Sequence, residues 1–385
     1  MEKEEDHQAL AELVQAMNIE QSMHVSLTTP LPPPPFPKKV VPTNSSHTQA
    51  KPILPYPLHH LHTLWLFTVN DIKSILIPQS AFGIITALSG PLLTTNPSPS
   101  LSAVLSTLPR VLLWTYLNLL TFDISNQRLP TSLVEDSVNK PWRALPSKRL
   151  SMAQARRLLC FLIPCVIATT FWLGGCLETL VMMSLTWMYN DLHGADEHYA
   201  IRNLINAAGF MTYNYGTSRV AVGQGHALNS VLEYQWVPMV GGVVLTTLQM
   251  QDMSDQKGDA ERGRGTLPLV WGDGVARWSI AVPVMIWSLV CPAFWQLGLL
   301  SLGFALPVMV GGVLAGRVLL LRGVENDKAT WKVWCGWMMV LYALPLFKDH
   351  SVVSRALDGF APFQLGSLGV VTRSAHSLGI NVLSL

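Results

Sequence analysis

Charge is what this sequence has least of. Asp, Glu, Lys and Arg make up 13% of the 385 residues, about half the ~25% of ordinary soluble domains. That scarcity excludes a fold solvated by water all round, and the 49% hydrophobic content describes a chain immersed in lipid. Cysteine is also sparse. Cys160, Cys165, Cys176, Cys291 and Cys335 all lie in apolar stretches without CxxC or Cys/His spacing, which excludes a zinc or disulfide framework and leaves small buried hydrophobes. A formal net charge of +2 with no basic low-complexity tract gives no footing for nucleic acid. No basic N-terminal stretch precedes a short apolar core, so no cleaved signal peptide is expected.

What is present begins with residues 1–60, polar, charged and Pro-rich around Pro30–Pro37. They are expected to form a disordered cytosolic tail with a polyproline II spacer. Apolar runs near the ~20 residues that cross a bilayer then follow at 64–90, 101–122, 152–172, 176–192, 203–222, 236–252, 278–296, 298–320 and 331–348. These predict an all-α polytopic membrane protein, a nine-transmembrane-helix bundle over residues 61–349. A tail without a motif, 350–385, completes the chain.

Orientation follows from Lys/Arg bias. The loops after spans 2, 4, 6 and 8 hold five, one, four and four basic residues, fourteen in all: Arg128, Lys140, Arg143, Lys148, Arg149; Arg202; Lys257, Arg262, Arg264, Arg277; Arg317, Arg322, Lys328, Lys332. The other loops offer only Arg219. The even-numbered loops are therefore expected on the cytosolic side with the N-terminus, and the endoplasmic reticulum is the expected membrane.

The same loops carry the chemistry. QMQDMSDQKGDAERGRGTLP, residues 249–268, places Asp252, Asp255 and Asp259 at i, i+3, i+7 directly after an apolar run. On a continuous helix they would share a sector of roughly 60°. Three anions on one face repel unless cations sit between them, and Mg²⁺ bridging to a phosphate is the usual solution. A solvated acidic turn is the competing reading of these residues alone.

A second cluster, Phe122 to Ser151, supplies Asn126, Glu135, Asp136, Asn139, Lys140, Arg143 and Arg149. Pro130 should end any helix continuing from span 2, and Pro141 one carrying Asp136. Asp136 and Asn139 would then be i, i+3 neighbours able to share a cation. Tyr189, Asn190, Asp191, Arg202, Asn203 and Asn206 fall at the adjoining span ends, where unpaired polar groups are costly, and are expected to line the same polar cap.

Acids, amides and arginines at one end of a helical bundle suit a diphosphate whose oily tail runs into the membrane. Carboxylates would hold Mg²⁺, with Arg and Lys on the leaving phosphate oxygens. An aromatic-rich cavity would shield the allylic cation; Trp142, Trp187, Tyr189, Tyr213, Tyr215 and Trp236 are the candidate walls. A transporter would instead place its ionisable groups near the bilayer midplane.

DMSDQKGDAERGRGTLP resembles the second Asp-rich motif, D-x-x-D-x-x-G-D…T-L-P, of the UbiA superfamily of intramembrane prenyltransferases, and the resemblance extends over roughly Leu64 to Asp349. It implies a nine-helix bundle with two Asp-rich cytosolic loops binding Mg²⁺ and an isoprenyl diphosphate. Asp252, Asp255 and Asp259 would be Mg²⁺–diphosphate residues, with Arg264 near phosphate. The first motif departs from N-D-x-x-D-x-x-x-D. Asn126 matches, but Gln127, Pro130 and Val134 stand where acids are usual, and Glu135–Asp136 come late.

That altered pattern, with NKPWR at 139–143, resembles a fungal branch that includes membrane-bound terpene cyclases. The expected activity is therefore Mg²⁺-dependent ionisation of an isoprenyl diphosphate, farnesyl diphosphate above all, followed by cyclisation. The alternative is transfer to an aromatic or other acceptor. The expected ligands are Asn126, Asp136, Asp252, Asp255 and Asp259 for the metal, and Lys140, Arg143, Arg264, Asn203 and Tyr189 for the diphosphate.

Overall fold

The computed structural model describes residues 56–348; the expectations for the Pro-rich tail and for residues 350–385 lie outside them. A helix occupies each of the nine expected positions: α1 (Ile72–Leu88), α2 (Leu101–Gln127), α3 (Met152–Leu173), α4 (Cys176–Asn190), α5 (Tyr199–Val222), α6 (Val237–Thr247), α7 (Asp273–Phe294), α8 (Leu302–Leu320) and α9 (Val324–Tyr342). Among the described residues there is no strand, only an isolated bridge between Thr94 and Leu228.

Four of these helices, α2, α3, α7 and α8, are long and apolar enough to cross a membrane by length and composition, and α1 is a shorter apolar helix. Helices α4, α5, α6 and α9 do not meet that measure. Helix α5 illustrates why: Arg202, Asn203, Asn206, Tyr213 and Asn214 interrupt its apolar sequence, and several of them turn towards a central cavity. Outward, α3 presents Phe161, Phe171 and Trp172 at 70–76% exposure, as a lipid-facing surface would.

Two elements differ from expectation. The first run, 64–90, is two helices, because the chain turns at 69–71 and Asp71 starts a π turn, Ile72–Leu76, that opens α1. The second acidic motif is not one helix. A 3₁₀ stretch, Leu248–Met253, ends α6; Asp255 then stands at the N-cap of a fresh helix, Gln256–Arg262. The proline expectations hold. Pro130 is the first residue of the helix Pro130–Asn139, which stops at Lys140 just before Pro141.

Helix α6 runs through the middle, with Val240, Val243 and Val244 fully buried. Helices α1 and α5 approach closely, since a Cβ on Gly83 would lie 2.5 Å from the Thr217 carbonyl oxygen. The loops after α2, α4 and α6 meet at one end. Arg128 bonds Asp191 at 2.5 Å, and Arg262 joins Asp196 (3.0 Å) to Glu135 (3.0 Å). At the opposite end the α1–α2 and α5–α6 connections pair, Thr95 N to Ala227 O at 2.9 Å. Helices α7, α8 and α9 are braced at the polar end by buried Arg277. Its guanidinium makes two 2.9 Å bonds to Asp327 and one of 2.8 Å to the Val318 carbonyl.

Candidate active site

A cavity of ≈ 180 Å³, more than tenfold what one water needs, opens at the polar end. Its wall is a set of helical stripes. Helix α2 gives Leu119, Phe122, Asp123 and Asn126; α4 gives Met182, Leu185, Thr186 and Tyr189; α5 gives Arg202, Ile205, Asn206, Gly209, Phe210 and Tyr213. Each set keeps the i, i+3/i+4 spacing of one helix face. Along α2 and α5 the chemistry changes from charged or amide at the loop end to apolar or aromatic further in, and along α4 from the hydroxyls of Tyr189 and Thr186 to Leu185 and Met182. Over the eleven steps from Arg202 to Tyr213, at 1.5 Å rise each, the change spans roughly 16 Å. Asp71 and Ile75 of the α1 entry and Trp331 of α9 complete the inner wall.

At the cap each acid of the second motif meets a cation. Arg202 Nη1 donates to Asp252 Oδ2 at 2.5 Å and its Nε to the Tyr189 hydroxyl at 3.3 Å. Lys140 Nζ donates to Asp255 Oδ2 at 2.7 Å, and Asn139 Nδ2 to the Asp255 carbonyl at 3.1 Å. Arg264 Nη1 donates to Asp259 Oδ1 at 3.2 Å and lies 3.3 Å from Glu135. The other Asp259 oxygen, Oδ2, is buried without a partner.

These surroundings divide the carboxyls. Burial, reinforced by the Asp252 charge, pushes Asp259 up to about 7. Burial also acts on Asp255 and Glu135, but Lys140 outweighs it at the first and Arg264, Lys140 and Arg262 at the second, so both lie below the usual range.

Of the residues expected from sequence, Asn126, Lys140, Arg143, Tyr189, Asp252, Asp255, Asp259 and Arg264 line this one cavity. Asp136 and Asn203 do not. Asp136 is 2% exposed and held by Arg143 Nη1 at 2.8 and 3.1 Å, so it positions that arginine. Asn203 donates to Gln249 Oε1 at 3.3 Å, tying α5 to the end of α6. Nor do Asp136 and Asn139 share a cation site, because Asn139 is turned to the Asp255 backbone. Arg149 points away, to His59 and Thr63.

Among the six expected aromatic walls only Tyr189 and Tyr213 line the cavity. Trp142 and Trp187 are exposed, and Trp236 is fully buried against Phe294 and Trp295. Phe122, Phe210 and Trp331 take that place instead. Sequence reasoning also missed Asp123, although it lies three residues before Asn126 on the same α2 face, and an acid inside an apolar span is itself a signal.

The order of these acids, with a glycine and T-L-P following, is matched on a larger scale. Residues 83–344 match the UbiA prenyltransferase family. The chain belongs to the UbiA prenyltransferase family. One UbiA relative, the fumagillin β-trans-bergamotene synthase af520 of Aspergillus fumigatus, is 31% identical over 76% of this chain and 94% of its own length. The polyprenyl transferase eriF of Hericium erinaceus is 28% identical over 78% of this chain and 100% of its own. A UbiA homologue from Archaeoglobus fulgidus, solved bound to GPP and Mg²⁺, shares the fold at a TM-score of 0.52. It has 13% identity over 73% of this chain and 98% of the other. The protein is thus a membrane-embedded enzyme of UbiA type.

The donor set suits Mg²⁺. Six carboxyls line the cavity (Asp71, Asp123, Glu135, Asp252, Asp255, Asp259) against four cations (Lys140, Arg143, Arg202, Arg264), a formal surplus of two negative charges. Among the described residues no three acid, His or Cys side chains form a ready ligand cage. Mg²⁺ does not need one, because it is commonly held by one or two carboxylates plus substrate phosphates. The unpartnered Asp259 oxygen fits that role.

Proposed function

We propose that this enzyme ionises an isoprenyl diphosphate, farnesyl diphosphate in our reading, and closes the allylic cation on its own distal double bond. The observation that carries this reading is the gradient along the cavity, from an acid-and-arginine cap to an apolar, aromatic interior. A ligand matching it has an anionic head and a hydrocarbon tail.

Asp252, Asp255 and Asp259, with Asn126, would hold Mg²⁺, and Lys140, Arg143, Arg202 and Arg264 would take the diphosphate oxygens. Asp136 and Asn203, expected as ligands, serve instead to position Arg143 and the end of α6. When bound, Mg²⁺ supplies neutralisation of the charge that builds on the departing diphosphate. The pairs now joining Arg202 to Asp252 and Lys140 to Asp255 would exchange partners on loading, each cation turning from carboxylate to phosphate oxygen. The C–O bond then breaks with its electron pair on the diphosphate. Phe122, Phe210, Tyr213 and Trp331 would face the cation left behind and keep water from it.

Cyclisation is favoured over transfer by the 31% identity to a bergamotene synthase, together with the first motif's loss of its usual acids. The basic bias of the even-numbered loops supports the cap and N-terminus facing the cytosol; nine spans in the endoplasmic reticulum are part of the same proposal. Membranes holding the enzyme, given farnesyl diphosphate and Mg²⁺ without an acceptor, should release diphosphate and a hydrocarbon. Diphosphate release only after an acceptor is added would instead establish the transferase.

A further inference from the structure

One turn below the cap, two further carboxyls line the cavity on the α1 and α2 side. Asp123, on α2, is 3% exposed, and its Oδ2 has no hydrogen-bond partner. Asp71, at the entry to α1, lines the same cavity and is among the charged groups around Asp123. Asp71 accepts from Ser74 at 3.3 Å, stands 3.7 Å from Arg143, and has a side chain 33% exposed. Both line the cavity, as does Tyr213, whose buried hydroxyl also lacks a partner. The charged and titratable groups around Asp123 are therefore Asp71, Arg143, Asp136 and Tyr213.

A carboxyl oxygen buried in the cavity wall without a hydrogen-bond partner costs folding free energy. On the α2 stripe Asp123 lies between Asn126 at the cap and Phe122 and Leu119, which face the hydrocarbon part of the cavity.

We propose that Asp123 accepts the proton that ends the reaction and that Asp71 relays it to the polar mouth; this rests on the cyclase reading above. A carbon adjacent to the cationic centre loses its C–H bond, and that electron pair becomes the new double bond. The proton goes to Asp123 Oδ2, across to Asp71, and out to the solvent-facing end. Charge balances, because one cation becomes a neutral alkene plus a proton on a carboxylate. No oxidant or second substrate is needed.

The test uses membranes carrying the full chain, farnesyl diphosphate and Mg²⁺, reading both released diphosphate and the ratio of hydrocarbon to alcohol. In Asp123→Asn, diphosphate release should continue at a reduced rate. The hydrocarbon share should fall about 10²-fold, the lower end of the loss expected on removing a general base, with water capturing the cation to give alcohols. An unchanged hydrocarbon share overturns the proposal. So does loss of diphosphate release from a folded variant, which would make Asp123 part of ionisation. If Asp123→Asn does not fold, Asp123→Glu decides: moving the carboxylate by one methylene should keep a hydrocarbon but shift its double-bond position, and an unshifted product overturns the assignment. Wild-type enzyme that releases no diphosphate without an acceptor defeats the cyclase reading itself, an outcome distinct from the others.

Discussion

Gly258 and Asn139 touch where the two polar loops meet. A Cβ on Gly258 would fall 2.1 Å from Asn139 Nδ2 and 2.7 Å from its Oδ1. The glycine of the second motif is therefore the space in which Asn139 reaches the Asp255 carbonyl. Gly258→Ala should displace Asn139, with an overpacking cost of about 1–3 kcal/mol. By misplacing Asp255 and Lys140 it should reduce diphosphate release about 10²-fold. Adding Asn139→Ala should restore stability but not turnover; thermal unfolding in detergent and a release assay separate the two, and additive effects on stability would refute the contact.

Arg202 and Asp252 form a deeply buried pair of the cap, at 6% and 2% side-chain exposure. Arg202→Leu leaves a carboxylate buried and uncompensated, which typically costs about 3–5 kcal/mol. Combining it with Asp252→Asn should recover most of that stability while diphosphate release stays absent. A double variant as unstable as the single one would show that the pair is not what holds α5 to the end of α6.

Asp259 gives a pH signature. Its folded value of about 7 lies above that of the unfolded chain, so the folded state binds the extra proton. Stability is lost as pH rises from the ordinary carboxylate range through about 7. Asp259→Asn removes that loss, so without Mg²⁺ its thermal midpoint at pH 8 should exceed that of the wild type while its diphosphate release is abolished. Because metal binding requires the deprotonated carboxylate, the Mg²⁺ concentration giving half-maximal wild-type activity should fall as pH passes 7. A flat dependence would remove Asp259 from the metal site.

Gly209 lines the cavity, and a Cβ there would meet no atom within 4 Å. A larger side chain should therefore extend into the cavity without disturbing the bundle. Gly209→Phe is expected to change the kcat/KM ratio of farnesyl to geranyl diphosphate by roughly tenfold or more in favour of the shorter chain, with thermal stability held. An unchanged ratio would place the hydrocarbon tail elsewhere.

The helices were legible in the sequence because lipid imposes long apolar runs, and each of the nine runs contains a helix. The clustering of the even-numbered loops at one end was legible as well, through charge bias alone. Local chemistry carried Pro130, Pro141 and the second acidic motif. The pairing of those acids was not legible: three carboxylates on one uninterrupted helix face would repel, and the chain instead turns at Asp255 so that each acid meets its own cation. Two of those cations come from distant loops, Arg202 lying 50 residues from Asp252 and Lys140 115 residues from Asp255, while Arg264 is only five residues from Asp259.

By itself, then, the sequence determined a lipid-embedded helical bundle with an acidic, basic and amide-rich end, because hydropathy, charge and proline act locally along a chain. Only the tertiary structure decided which of those residues face the cavity. Asp136 and Asn203 carry the same functional groups as Asp255 and Asn126, yet the direction of each helix face turns the first two into supports and the others into the wall. The same helix geometry brought Asp123, silent in the motif, into that wall beside Asp71.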